Sequence, residues 1–259
     1  MTRIGHDATS GPGGHRCGDT LVGMRIATWN VNSLKARQDA VEAWLARARP
    51  DILLMQETKL GDGDAPVMAF AMLGYQLVHH GEGRWNGVAI AARDGLAVSD
   101  VVTNFGDGPV RDSGPGGTAG NEDDFDPFDE ARMVAATVDG LRVVSVYAPN
   151  GRVVGSEFYA GKLRWFERLG RWLDDEVAAG RGESLVVGGD YNVAPGEIDV
   201  WDPRAVHGGT HVSTAERDAI AAQRVQVVDG AGEGRGPVLV PRDLGGLRRP
   251  AAGAEGPQQ

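Results

Sequence analysis

Residues 24–60 read MRIATWNVNSLKARQDAVEAWLARARPDILLMQETKL, and their pattern predicts a strand, a helix and a second strand. Arg25 to Trp29 has the short apolar character of a strand. Ser33 is a helix N-cap residue, and an apolar face follows it until Pro50 ends the helix. Ile52 to Gln56 is apolar enough to be a buried strand. The stretch therefore favours a layered fold in which helices cover a sheet.

The same alternation of strands and helices continues to about residue 220. The pair Asp139-Gly140 lies between two apolar runs and predicts a tight hairpin. Apolar residues from Tyr159 to Val177 recur at helical spacing, and Gly180 follows them as a stop. The further predicted strands are Gly87 to Ala92, Met133 to Val138, Leu141 to Val146 and Ser184 to Gly188. These elements predict an α/β fold but leave open whether its sheets are parallel or antiparallel.

Composition limits the classes of protein that the chain can belong to. Its 259 residues are 41% apolar, enough to bury a sizeable core, and its single cysteine, Cys17, excludes disulfides within the chain and cysteine metal clusters. No apolar run is long enough to span a membrane, and residues 1–23 lack the apolar centre of a signal peptide. We therefore expect a cytoplasmic protein with no membrane contact and with a disordered leader at residues 1–23.

Charge and composition set two other segments apart. Residues 107–130 hold eight acidic residues and one basic residue, which accounts for seven of the ten excess negative charges of the chain. We interpret this segment as a solvated loop insert in a domain that spans residues 24–220. Residues 221–259 contain eight Gly and four Pro without an apolar period, and no aromatic residue follows Trp201. Such a tail is predicted to be low-complexity sequence that is not native to the fold.

Polar residues that suit metal chemistry stand where apolar strands end. Glu57 follows the second strand, and Asp190 with Asn192 follows the run SLVVGG. A carboxylate at the rim of a core must be paired, hydrogen-bonded or bound to a metal. Two carboxylates with amides beside them suit Mg²⁺, which takes few protein ligands together with substrate phosphate. Hydrolysis of a phosphate ester is the implied chemistry.

Each of these residues also has a purely structural interpretation. Glu57 could form a salt bridge with Lys59 or Arg93 at the end of its strand. Asp190 and Asn192 could cap a turn, because Gly-Asp-x-Asn is turn-forming sequence. Asn30, Asn32 and Tyr147 could likewise satisfy backbone groups or pack. Only the combination of these residues carries a functional hypothesis.

That combination resembles the exonuclease III and abasic-site endonuclease family. An Asn-x-Asn-Ser-Leu-x-Ala-Arg element precedes a Gln-Glu-Thr-Lys element in residues 24–60, in the order that is typical of the family. Further similar elements follow in the family's order: GVAIAAR (87–93), ARMVAATV (131–138), VYAPNG (146–151), a helix with Lys162, GGDYNVAP (188–195) and THVSTAER (210–217).

The resemblance implies a four-layered α/β sandwich, with two packed mixed β-sheets flanked by helices, and a Mg²⁺ or Mn²⁺ site at one edge. It implies that Glu57 is the principal metal ligand, assisted by Asn30. Asp190 would position or deprotonate the attacking water, and Asn192 and Tyr147 would hold the scissile phosphate. Supporting DNA contacts would come from Asn32, Arg132 and Lys162. The implied substrate is double-stranded DNA with abasic sites or 3′ ends, cut by a monomer in base-excision repair.

The chain also departs from that family. The Trp-x-Asp-Tyr-Arg, Arg-Ile-Asp and Ser-Asp-His segments with which the family closes are absent, so the C-terminal strands of the fold are expected to be missing. Loss of the Asp-His pair would remove a general acid-base group, and we expect weak or no activity together with an uncovered sheet edge. His207 and His211 are expected to have turn or packing roles rather than to replace the lost histidine.

Two other functions stay open on the sequence. Another phosphodiesterase or phosphatase of the same wider superfamily would use a similar set of residues, although the SLKAR segment at residues 33–37 favours the repair branch. An inactive remnant that binds metal or DNA without turnover is the non-enzymatic alternative. Metal-dependent turnover would distinguish an enzyme from such a remnant.

Overall fold

A computed structural model of the chain describes residues 24–107, 130–181 and 185–228. Residues 1–23, nearly all of the acidic insert and residues 229–259 lie outside these ranges, and so do the predictions made for them. The elements are β1 (Ile26–Asn30), α1 (Leu34–Ala48), β2 (Ile52–Gln56), α2 (Val67–Met72), β3 (Tyr75–His80), β4 (Val88–Arg93), β5 (Val98–Thr103), β6 (Met133–Val138), β7 (Leu141–Tyr147), α3 (Glu157–Ala178), β8 (Leu185–Asp190), α4 (Pro203–Val206) and α5 (Thr214–Val228).

Two mixed four-stranded sheets pack face to face within the described ranges. The first sheet has the order β1-β2-β4-β3 and the second the order β5-β6-β7-β8. Three apolar clusters separate four layers. One cluster joins the two sheets through side chains such as Leu54 and Val143, a second packs α1 and α2 on the first sheet, and a third packs α3 on the second. The predicted four-layered α/β sandwich is confirmed.

The predicted strands agree with the observed ones to within two residues, and the Asp139-Gly140 turn has positive φ at both positions, as a type I′ hairpin requires. Strands β3 and β5 were not predicted. β3 carries Gln76, His79 and His80, which hide its apolar alternation, and β5 is a mostly exposed edge strand with a register shift between Ser99 and Val102. Pairing with a neighbouring strand, rather than local pattern, makes both of them strands.

The acidic insert is anchored to the domain at both of its described ends. Asp107 and Glu130, the first and last residues of the acidic insert, form ion pairs with the buried side chains of Arg168 and Arg132. Helix α5 runs through the predicted domain boundary at residue 220 and continues to Val228, so the fold extends beyond that boundary. In the part of the chain that the structure describes, every helix is too short or too polar to cross a bilayer.

The sheet topology brings four strand ends to one edge of the molecule. β1 is parallel to β2, and β7 is parallel to β8, so within each pair the carboxyl ends lie side by side. β1 and β8 are outer strands of their sheets among the described residues, and they contact each other across the sandwich. The residues that follow these strands therefore converge, although they are far apart in sequence.

Candidate active site

Asn30 joins the two carboxylates that the sequence singled out. Its Nδ2 group donates hydrogen bonds to Glu57 Oε1 and to Asp190 Oδ2, each over 2.8 Å. Its Oδ1 atom accepts from the backbone N–H of Asn32 at 3.0 Å. Both amide hydrogens thus face the carboxylates, and the amide oxygen is used within its own turn. The geometry gives Asn30 the role of positioning Glu57 and Asp190, and its role as a metal ligand stays a prediction.

Glu57 lies at the centre of the site in a turn with an unusual backbone. Both Glu57 and Lys59 have positive φ, and the Glu57 carbonyl accepts from Ser33 N at 2.7 Å. Burial raises the pKa of Glu57, but hydrogen bonds from Asn30, Lys59 and Tyr147 and the charge of Lys59 outweigh it, so the pKa is lowered. The carboxylate is therefore ionised at neutral pH and available to a cation.

The salt bridge proposed as the structural alternative for Glu57 is also present. Lys59 Nζ lies 3.0 Å from Glu57 Oε2, whereas Arg93 pairs with Asp51 instead. The side chains of Lys59 and Glu57 are 27% and 19% exposed, so a positive charge already stands at the solvent side of the carboxylate. The ammonium group of Lys59 thus occupies the neighbourhood of Glu57 Oε2, which shows that this atom can have a cation as its neighbour.

Tyr147 closes the site from the second sheet. It is the register partner of Asp190 in the parallel pair of β7 and β8, and its hydroxyl lies near enough to Glu57 to help lower the pKa of that carboxyl. Burial, followed by the negative charge of Glu57, raises the pKa of Tyr147 to about 12. The hydroxyl therefore stays protonated through neutral and mildly alkaline pH and acts as a hydrogen-bond donor.

Arg132 contacts both the ring and the backbone carbonyl of Tyr147. Its guanidinium carbon lies 4.8 Å from the centroid of the Tyr147 ring, and Nη1 donates to the Tyr147 carbonyl at 3.3 Å. Nε donates to Glu130, and the side chain is only 8% exposed. The prediction that Arg132 contacts DNA is not supported, because its donors are directed to groups inside the protein.

Asp190 and Asn192 form a short turn after β8. Asp190 Oδ1 accepts from Asn192 N at 3.0 Å, and Asn192 adopts a φ of 49°. The turn that was predicted is present, and the other carboxylate oxygen of Asp190 faces Asn30. Asn192 Nδ2 donates to the Ala148 carbonyl at 2.9 Å, and its second hydrogen is left for a ligand.

Lys162 is not at the surface, so the prediction that it contacts DNA is wrong. Its side chain has 0% exposure and forms an ion pair with Glu216, which is also fully buried. Lys162 Nζ donates to the carbonyl of Asn192 as well, so the lysine anchors the turn that carries Asn192. Burial raises the pKa of Glu216, but hydrogen bonds from Lys162 and Ser213 outweigh it, and the pKa is lowered. Lys162 therefore holds the Asn192 turn in place from the interior of the protein.

The two histidines differ in their surroundings. His207 is exposed at the end of α4, whereas His211 Nδ1 is hydrogen-bonded to the Asn192 carbonyl and its Nε2 lies 3.4 Å from Asn150 Nδ2. His211 itself has a φ of 71°, a backbone angle that is found in turns. His211 thus has the turn role that was expected, and it shares the Asn192 carbonyl with Lys162.

A buried polar link beneath the site was not predicted. Gln56 Nε2 donates to Ser145 Oγ at 3.1 Å, and Ser145 Oγ donates to the Met55 carbonyl at 3.1 Å. Both side chains are buried, and they join β2 to β7 directly below Glu57 and Tyr147. Nothing in the local pattern marks this link, because Gln56 and Ser145 are 89 residues apart in sequence.

Basic side chains gather on the Glu57 side of the site. Asn32 is exposed and accepts from Lys59 Nζ, and Arg37 Nη1 donates to the Asn32 carbonyl at 3.0 Å. Lys35 and Arg37 are exposed on the first turn of α1. We call Lys35, Arg37 and Lys59 the basic rim. It supplies local positive charge in a chain whose net charge is −10.

The donors at this edge fit a hard divalent cation. Among the described residues no cluster of three or more His, Cys, Asp or Glu side chains is found. Two carboxylates held on one amide remain, and such a donor set suits Mg²⁺ or Mn²⁺, which keep several waters and also bind substrate oxygens. Glu57 is the residue that would hold the cation.

The fold and this edge together define a class: α/β sandwiches that hold two carboxylates, an asparagine bridge and a tyrosine where the strands of both sheets end. The sequence profile of the Endonuclease/Exonuclease/phosphatase family matches residues 27–246. The chain belongs to the Endonuclease/Exonuclease/phosphatase family.

Individual relatives confirm the resemblance to the exonuclease III and abasic-site endonuclease group. Exodeoxyribonuclease III of Haemophilus influenzae is 26% identical over 182 residues, which cover 68% of this chain and 60% of the relative. A 3′ phosphatase from Neisseria, solved with a product DNA hairpin, is 34% identical with a TM-score of 0.67 and coverages of 78% and 71%. An AP endonuclease from Archaeoglobus fulgidus is 35% identical with a TM-score of 0.65 and coverages of 77% and 69%. The chain thus spans about three fifths of the curated Haemophilus relative.

Proposed function

We propose that this domain hydrolyses phosphodiester bonds in double-stranded DNA, at abasic sites or 3′ ends, with Mg²⁺ or Mn²⁺ as cofactor. The observation that carries the proposal is the double hydrogen bond of Asn30, which gathers Glu57 and Asp190 beside Tyr147. Relatives named as an exodeoxyribonuclease III, a DNA-bound 3′ phosphatase and an AP endonuclease support DNA as the substrate. A role in base-excision repair would follow from that chemistry.

Each site residue has a defined part in this chemistry. A cation bound at Glu57 would neutralise negative charge on the phosphate. Asp190, held by Asn30 and by Asn192 N, presents a fixed carboxylate that can orient a water and take its proton. The Tyr147 hydroxyl and the free hydrogen of Asn192 Nδ2 are donors for phosphate oxygens, whose charge grows in the transition state.

The direct test is cleavage of three labelled duplexes: one with a single abasic-site analogue, one with a recessed 3′ end, and one undamaged with both ends closed by hairpin loops. Each is incubated with the chain in Mg²⁺ and in EDTA. We expect weak, metal-dependent cleavage of the first or second duplex and none of the third. A folded chain that binds these duplexes without cleaving any of them would instead be the inactive binding remnant, and the proposal would be wrong.

Tyr147→Phe should slow cleavage by about 10- to 150-fold, the loss expected when one hydrogen bond to a charged group, about 1.5–3 kcal/mol, is removed. Because the pKa of Tyr147 is about 12, the wild-type rate should show no loss from ionisation of this hydroxyl between pH 7 and 10. The measurement is the single-turnover rate across that range. Tyr191→Phe is a control, since the Tyr191 hydroxyl donates to the backbone of β8. Equal rates for wild type and Tyr147→Phe would contradict the assigned role.

Arg37→Gln should weaken DNA binding to a similar extent for every sequence and lower the salt dependence of binding. One lost phosphate contact reduces the slope of log K against log salt by about 0.9. Arg47→Gln is the matched control, because Arg47 is an exposed arginine at the opposite end of the same helix. Fluorescence anisotropy between low and moderate salt measures both quantities. Identical slopes for the two variants would exclude the basic rim as a DNA contact.

A further inference from the structure

Three polar side chains behind the site form a continuous hydrogen-bonded chain. Thr58 Oγ1 lies 2.8 Å from His79 Nε2, and His79 Nδ1 lies 2.8 Å from Asp62 Oδ1. The same Asp62 oxygen accepts from Gly81 N at 2.8 Å. We call Thr58, His79 and Asp62 the Thr58 relay. It joins the loop after β2 to the end of β3.

The order of groups in the Thr58 relay is that of a nucleophile, a base and an orienting carboxylate. Access excludes that use in this structure. Thr58 has 0% exposure and the His79 side chain 4%, while only the Asp62 side chain, at 60%, meets solvent. A substrate cannot reach the Thr58 hydroxyl, so the relay must act through the protein rather than on a ligand.

The hydrogen-bond pattern sets the direction of the relay for a neutral imidazole. Asp62 is an acceptor, so His79 donates from Nδ1, and Nε2 of the neutral ring is then an acceptor. The Thr58 hydroxyl consequently donates to His79. A threonine side chain that is fixed in this way has a single orientation, and so does the backbone to which it is attached.

That backbone is the turn that carries Glu57. Glu57 and Lys59, on either side of Thr58, have φ values of 53° and 54°, a conformation that side chains other than glycine adopt only at a cost in free energy. Thr58 N donates to the Gly87 carbonyl at 3.1 Å, and Leu34 N donates to the Thr58 carbonyl at 2.9 Å. A Cβ atom at Gly87 would lie 2.1 Å from Thr58 Oγ1, so the backbone just before β4 packs against the threonine from its other side.

We propose that Thr58 and His79 are positioning residues for Glu57, which hold the strained turn in the form that places its carboxylate against Asn30. The inference rests on the proposed role of Glu57 as the residue that binds the cation. Neither the polar residues at the strand ends nor the hydrogen bonds of the two carboxylates predict that the Glu57 turn needs these positioning residues. Partners of this kind, one step removed from a metal ligand, commonly affect metal affinity by about 10- to 100-fold.

Two near-isosteric variants of His79 separate the contacts of the imidazole. Glutamine places its amide near the position of Nε2, where the amide oxygen can accept from the Thr58 hydroxyl. Asparagine places its amide near Nδ1 and keeps only the partner for Asp62. We expect Mn²⁺ binding, measured by the electron paramagnetic resonance signal of free Mn²⁺, to weaken about 10- to 100-fold in His79→Asn and Thr58→Val. It should weaken less than about threefold in His79→Gln and Thr58→Ser.

A second readout requires no metal. Hydrogen exchange in EDTA should be faster for the amides of Thr58 and Lys59 in His79→Asn and Thr58→Val than in wild type, while the amides of β7 exchange as before. A merely structural role would lower the urea midpoint and speed exchange throughout the core without changing the Mn²⁺ affinity of the folded protein. His207→Asn, at an exposed histidine, is the control for both measurements.

The outcomes distinguish the two proposals. Mn²⁺ binding that is lost in Glu57→Gln but unchanged in His79→Asn and Thr58→Val would overturn the positioning role alone. Wild-type protein with no Glu57-dependent Mn²⁺ binding would overturn the proposed function, and the positioning role with it. Weaker binding in His79→Asn with near-normal binding in His79→Gln would establish that the contact between His79 and Thr58 positions Glu57.

Discussion

Asp190→Asn is expected to reduce the metal-dependent cleavage rate by about 10²- to 10⁴-fold, the usual contribution of a group that accepts a proton in the transition state. The substitution is nearly isosteric, and the asparagine oxygen can still accept from either Asn30 Nδ2 or Asn192 N, which bond to different oxygens of Asp190. One hydrogen bond of the site should therefore be kept while the charge and the basicity are lost. Single-turnover cleavage of an abasic duplex, with enzyme in excess, measures this effect.

Glu57→Gln gives a complementary result. It should raise the Mg²⁺ concentration needed for half-maximal rate, whereas Asp190→Asn should lower the rate at saturating Mg²⁺ and leave that concentration nearly unchanged. Asp174→Asn, at an exposed position on α3, controls for a general loss of negative charge. If Asp190→Asn cleaves as fast as Asp174→Asn, Asp190 does not handle the attacking water.

Lys162→Met should destabilise the domain by about 3–5 kcal/mol, because it leaves the carboxylate of Glu216 buried without its cation. The same change removes a donor from the Asn192 carbonyl, so phosphate binding should also weaken. Urea unfolding followed by tryptophan fluorescence gives the free energy of unfolding. The midpoint should fall while the slope of free energy against urea stays the same.

Two companion variants make the Lys162 prediction specific. Lys35→Met, at an exposed lysine on α1, should change the free energy of unfolding by less than about 0.5 kcal/mol. The double variant Lys162→Met with Glu216→Gln should recover part of the loss, because a neutral amide is less costly to bury without a counter-ion. If Lys162→Met were as stable as Lys35→Met, the ion pair would have no structural importance.

Family membership and the structure of the site support each other through different observations. The family profile depends on the order of sequence motifs, whereas the site depends on contacts between side chains that those motifs do not specify. The basic rim and the Thr58 relay both adjoin the Glu57 turn, one on its solvent side and the other behind it. The turn that carries Glu57 is thus contacted by basic side chains from one side and by the Thr58 relay from the other.

The sequence by itself determined the succession of strands and helices and the polar residues at the strand ends. Ser33 caps α1, Asp139-Gly140 turns the β6–β7 hairpin, and Glu57 and Asp190 follow buried strands, as predicted. These features depend on local chemistry: hydrogen bonds to neighbouring backbone groups, allowed backbone angles and the period of apolar residues.

Only the tertiary structure decided how these residues are used. The contact between Asn30 and Asp190 spans 160 residues of sequence, and it gives the asparagine a positioning role that the sequence did not predict. Burial turned Lys162 and Arg132 from expected DNA contacts into supports for Asn192 and Tyr147. The physical reason is that whether a charged side chain faces water or a buried partner depends on which strands and helices pack around it. No local pattern of residues contains that information.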